Sequence, residues 1–155
     1  MINCNQLRKL IIKPALIELQ LYSMDAEELL VFTCAVESDG GTYLKQNEGP
    51  ALGIYQMEPV TYNDLWQNFI FKKISLNNIL GMRFDCYSMP FEDKLIYDLR
   101  FATAMARVHY SRFEEPLPRW HDTDAIWEYY KKYYNTSLGA STKNDAIRKF
   151  LNFKM

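Results

Sequence analysis

Leu29-Leu30-Val31-Phe32-Thr33-Cys34-Ala35-Val36-Glu37-Ser38-Asp39-Gly40-Gly41 is the stretch on which the reading of this chain turns. Its apolar run has no polar face, which predicts a helix buried on most sides at the centre of the molecule. The run ends in a carboxylate, Glu37, and then in a polar glycine turn. A carboxyl group where a greasy helix meets a turn is half out of water. Desolvation disfavours its charged form and raises its pKa, the condition a general acid needs near neutral pH. A helix-terminal Glu facing solvent is the plain alternative.

Working outward, Asp25-Ala26-Glu27-Glu28 reads as the start of this helix, with Asp25 as cap and Glu28 three residues on. Before it, Pro14 fits a first helical position, so a helix is expected from Pro14, with Leu16, Ile17, Leu19 and Leu21 deeply packed. After it come a glycine-bearing loop and Gly49-Pro50-Ala51-Leu52-Gly53-Ile54-Tyr55-Gln56-Met57-Glu58-Pro59. A small hairpin pairing Tyr43–Lys45 with Ile54–Gln56 is expected here. Further helices are expected from Thr61 to Phe71, around Leu76–Leu80 with a stop at Gly81, from Pro90 to Phe113, from Asp122 or Thr123 to Tyr134, and from Ser141 or Thr142 onward. The fold class is mainly α, a compact single domain over 1–155 with at most a small β-hairpin.

Composition narrows the function. Of 155 residues 48% are hydrophobic and 15% aromatic, which excludes a disordered chain. Net charge is −1 and no basic run exceeds a pair, so nucleic acid is not an expected partner. Cys4, Cys34 and Cys86 are widely spaced and form no zinc or disulfide pattern; reduced, buried thiols and no metal or other cofactor are expected. No signal peptide and no membrane-spanning segment are legible, so the chain is expected to fold in the cytoplasm without membrane insertion, as a monomer. The tyrosines suit a carbohydrate groove, since the ring packs on sugar faces while the hydroxyl bonds sugar hydroxyls. Of the tryptophans, Trp120 in a proline-flanked loop is the best sugar platform. His109 and His121 have no Ser or Cys elbow nearby and are read as structural or surface residues.

Three pieces in order carry a resemblance. Glu37-Ser38, then Ala51-Leu52-Gly53-Ile54-Tyr55-Gln56, then Tyr134-Asn135 followed by Gly139, resemble the signature of lytic transglycosylases and goose-type lysozymes. Ile54-Tyr55 stands where that family usually has Leu-Met, and the Asn135–Gly139 spacing is longer than usual. Glu58-Pro59, Thr61 and Asp64, with Tyr110-Ser111-Arg112-Phe113 and Leu117-Pro118, are similar to a phage-encoded branch of the group.

The resemblance implies a lysozyme-like α+β fold and peptidoglycan glycan strands as substrate, cut at the β-1,4 bond between N-acetylmuramic acid and N-acetylglucosamine. It implies Glu37 as acid and base of a lytic transglycosylase. Delivery to the cell wall would be by a phage lysis system, as an endolysin, or by a virion. Around Glu37, Ser38 would orient it or cap the helix. Gly53 would permit close backbone approach to substrate or to the Glu37 helix. Tyr55 would lie in the substrate site. Gln56 would bond an acetamido group or hold Glu37. Tyr134 would hydrogen-bond Glu37, and Asn135 would join the site. A hydrolytic muramidase of the same fold would need a second carboxylate, for which Asp39, Glu48 and Glu58 are candidates. A non-catalytic virion or wall-binding module and a chitin-active enzyme are the remaining alternatives.

Overall fold

The computed structural model describes residues 1–135 and 141–155, and over these the protein is mainly helical with no sheet. A helical run at 4–18 (α1) joins Cys4–Gln6, a π-helical stretch Leu7–Ile12, and Lys13–Glu18. Then come α2 (Met24–Ser38), α3 (Pro59–Leu65, continued by the π-helical Trp66–Ile70), α4 (Ile74–Phe84), α5 (Lys94–Tyr97), α6 (Leu99–Ser111), α7 (Thr123–Tyr130, continued by the π-helical Lys131–Asn135) and α8 (Lys143–Lys154).

The apolar run is the hub. Leu29 to Val36 are all buried, and α1, α6, α7 and α8 pack around α2. Phe32 sits between two other helices, its ring edge-on to Tyr130 at 5.4 Å and tilted against Phe150 at 5.0 Å. A helix enclosed in this way draws its stability from tertiary burial rather than from its own propensity.

Several expected boundaries move, each for a local reason. α1 begins at Cys4, with Asn3 Oδ1 accepting the Gln6 N–H at 3.0 Å, and Pro14 lies inside the run. The π-register upstream, closed by Lys13 N–H to Arg8 O, lets the helix absorb the donor that proline lacks. Ile17 is 53% exposed, so only Leu16 and Leu19 of the four expected core residues there are fully buried. Ser23, not Asp25, caps α2, accepting the Ala26 N–H at 3.0 Å. Asp25 instead accepts the Trp120 N–H at 2.8 Å, and Glu28 turns inward to Arg8 and Lys154. α3 starts at Pro59, two residues before Thr61. α4 runs through Gly81, whose bare Cα admits the Tyr87 ring, and stops at left-handed Asp85. The long helix expected from Pro90 is broken at Asp98, whose carboxylate caps α6 through Phe101 N–H at 2.9 Å.

The expected hairpin is reduced to two isolated antiparallel bridges, Lys45 with Leu52 and Leu52 with Met57. The register therefore differs from the expected pairing of Tyr43–Lys45 with Ile54–Gln56. Cys4, Cys34 and Cys86 are free and buried. Among the described residues no helix is long and apolar enough to cross a membrane. Gly139 and the stretch around it lie outside the described residues.

Candidate active site

α2 delivers Glu37 one residue before its end. The helix stops because Asp39 and Gly40 both take positive φ, with Asp39 and Gly40 N–H groups turned back to Cys34 O. Asp39 is thus the helix-stop residue. Gly40 is held close under the Phe153 ring of α8, where a Cβ would meet ring carbon at 2.5 Å.

The Glu37 carboxylate is half-buried and gripped from α7. Tyr130 donates its hydroxyl to Oε1 at 2.6 Å, and the Asn135 side chain also hydrogen-bonds the carboxylate. Lys131 donates to Asn135 Oδ1 at 2.7 Å, which leaves the Asn135 amide nitrogen as the donor toward Glu37. Lys149 of α8 reaches the Val36 carbonyl at 3.5 Å. Burial pushes the Glu37 carboxyl above the usual carboxylate range. The bonds from Tyr130 and Asn135, and the charges of Lys149 and Lys131, pull it only part of the way back. Tyr130, beside this carboxylate, is held firmly protonated by burial and by the negative charge.

Glu37 opens onto a groove of about 460 Å³, shared with Tyr43, Gln46, Asn47, Glu48 and Gln56. Of these, Gln56 belongs to a tight turn at 53–56. Gly53 takes φ +74°, and a Cβ there would stand 2.1 Å from the Leu95 carbonyl oxygen of α5. The close approach this glycine permits is therefore to α5, not to the Glu37 helix. Gln56 takes φ +46° and folds its amide back, Nε2 donating to Gly53 O at 2.8 Å. It borders the groove beside Glu37 without holding it, and its amide oxygen has no partner among the described residues.

The turn is tied down by Ser38 and Tyr134, two residues expected to act on Glu37 itself. Ser38 is fully buried; its hydroxyl donates to Ile54 O at 2.6 Å and accepts the Gly41 N–H at 2.9 Å. Tyr134 donates to Tyr55 O at 2.8 Å rather than to Glu37. Tyr55 itself points inward, its hydroxyl 3.1 Å from Thr103 Oγ1, and is buried. Ser38, Tyr55 and Tyr134 therefore build the site from beneath and do not line it.

Of the three candidate second carboxylates, Glu48 alone lines the groove with Glu37. Asp39 caps α2, and Glu58 is exposed at the N-cap position of α3. Trp120, 45% exposed, lies on a separate concavity with Arg8, Lys9, Lys13 and Tyr22, so it is no platform for this groove. Trp66 and Trp127 are core.

Sequence reasoning missed Tyr130. It stands four residues before Tyr134, so on an ideal α-helix the two would share a face. The π-helical Lys131–Asn135 adds a residue to the turn, swings Tyr134 toward the 53–56 loop and brings Asn135 under the carboxylate. Comparison of the chain with protein-family models, with curated proteins and with solved structures finds no match.

Proposed function

We propose that the protein is a peptidoglycan lytic transglycosylase with Glu37 as general acid and base. The observation that carries this reading is one carboxyl group, raised in pKa by burial, fixed by two donors and open to a sugar-sized groove. Protonated Glu37 gives its proton to the glycosidic oxygen as the bond to the muramic acid anomeric carbon breaks. The resulting carboxylate then takes the proton of the muramoyl 6-hydroxyl as that oxygen bonds to the anomeric carbon. The product is a 1,6-anhydro ring, and Glu37 is protonated again. No water and no second carboxylate enter, because the nucleophile belongs to the sugar. Tyr130 and Asn135 stabilise the transient carboxylate. Gln56, on the rim of the groove, accepts an acetamido N–H through its amide oxygen in this reading. The resemblance of the three motifs supplies the substrate class, the lysozyme-like placement and the route to the wall through phage lysis or a virion.

A second reading is a muramidase, favoured by Glu48 on the same groove, which would activate water from an exposed loop. Mass spectrometry of digested peptidoglycan separates the two. Anhydro-muramoyl ends, lost with Glu37→Gln and kept with Glu48→Gln, support the transglycosylase. Reducing ends that vanish with Glu48→Gln establish the hydrolase. A wild-type protein that binds glycan strands and leaves a wall suspension turbid removes both.

A further inference from the structure

His109 sits on α6, is 7% exposed, and takes no part in the chemistry above. Its two ring nitrogens are each committed. Nε2 lies 2.8 Å from the Tyr133 carbonyl, and Nδ1 lies 3.3 Å from Nη2 of Arg112. A carbonyl can only accept and a guanidinium can only donate, so the ring is neutral with its proton on Nε2. Arg112 is in turn anchored by Nη1 to Asp64 Oδ2 of α3 at 2.6 Å, and Asp64 also accepts from Asn68 at 2.7 Å. The ring stands edge-on to Tyr134 at 5.1 Å, with Phe113 and Tyr110 on its other sides.

The bond at Tyr133 falls inside the π-helical turn Lys131–Asn135. One residue later Tyr134 holds the 53–56 loop; two residues later Asn135 holds Glu37. We infer that His109 is a positioning residue: braced by Arg112 and Asp64, it pins the π-turn that sets Asn135 on the Glu37 carboxylate and Tyr134 on the groove turn. Its catalytic consequence rests on the function proposed above. Two stretches that the resemblance left without a task, around Asp64 and around Arg112, acquire one as the brace. Protonating Nδ1 would set a cation against Arg112, and burial with that neighbour holds the imidazole down to about 4, so the brace stays in one protonation state at neutral pH.

The test compares His109→Ala with His109→Gln, whose amide can donate from the Nε2 position. The first readout needs no activity: the Glu37 side-chain carboxyl, followed by carbon-detected NMR titration. With Asn135 loosened, the Glu37 midpoint is expected to rise in the alanine variant and to return toward wild type in the glutamine variant. The second readout is kcat against KM on soluble glycan strands, with a loss of roughly tenfold in kcat, little change in KM, and recovery by glutamine. Asp64→Asn, at an exposed carboxylate, covers the case in which the alanine variant does not fold, and is expected to move both readouts in the same direction by less. An unmoved Glu37 midpoint in a folded variant overturns the inference, as does a glutamine variant no better than alanine. Should the wild type cleave no glycan, the function fails while the titration still decides the positioning role.

Discussion

Glu37 is held where it destabilises the fold. Its carboxyl binds a proton more tightly in the native state than in the unfolded chain, so at neutral pH its ionisation works against folding. Glu37→Gln is therefore expected to raise the melting temperature at pH 7 while lowering glycan cleavage by at least about a hundredfold, the low end for losing a general acid. A drop in both would mean that the residue is a structural anchor. Tyr130→Phe removes the 2.6 Å donor, which pulls the carboxyl down, so the alkaline limb of the pH–rate profile should move to higher pH. The position of Glu37 was legible because an uninterrupted apolar run ending in glycines has few other folds open to it. Its partner was not, because Tyr130 and Tyr134 are equivalent in any α-helical register and only the π-turn distinguishes them.

At the scale of elements, the ties between helices are made by side chains that the sequence offered for other work. Glu28, expected to close a capping box, is buried and bridges Arg8 of α1 to Lys154 of α8, with Glu27 adding a bond to Arg8 at 3.2 Å. Glu28→Ala should cost about 2–3 kcal/mol in urea unfolding: below the full value for breaking a buried pair, since Lys154 is partly exposed and Arg8 keeps Glu27. A cost under about 0.5 kcal/mol would place the cluster among ordinary surface pairs. Most helices were legible in the sequence, but not the stretch before Pro14, where α1 already runs from Cys4, nor α5 as an element apart from α6. Ends were less so, since Ser23 and Asp98 won their caps through local backbone geometry, and the proline in α1 was accommodated by a wider turn instead of ending it. The groove turn at 53–56 was legible as a motif, but not the contact that demands its glycine. Gly53→Ala should disturb that turn and lower activity, because its Cβ would meet the backbone of α5 and not a movable side chain.

Over the whole molecule buried His109 and half-buried Glu37 give stability opposite slopes with pH. His109 has a native pKa of about 4 against an ordinary value of 6.5, so the unfolded chain takes up protons first. Its contribution is complete above about pH 6.5 and fades as the pH falls toward 4, by about 3 kcal/mol at most. Glu37, shifted upward from 4.5, contributes below that value and loses its contribution as the pH rises. Melting temperature should therefore climb less between pH 4 and 6.5 in His109→Gln than in the wild type, and fall less as the pH rises from 4.5 in Glu37→Gln. Parallel curves for all three proteins would assign the slope to the other carboxylates. Mainly α architecture with a central apolar helix followed from pattern alone; the placement of distant residues around Glu37 depended on how α7 and α8 pack against α2, which no local pattern encodes.

The first and last segments of the chain meet. Residues 1–5 and 152–155 line one shallow cleft, with Ile2 N–H bonded to Gly40 O at 2.8 Å and Phe153 lying on the same glycine. A unit whose ends emerge side by side can be spliced into an exposed loop of a host protein, or rejoined and reopened elsewhere, with little stretch on its interior. Because this seam touches Gly40, three residues past Glu37, a join made there is expected to act first on the turn that ends α2.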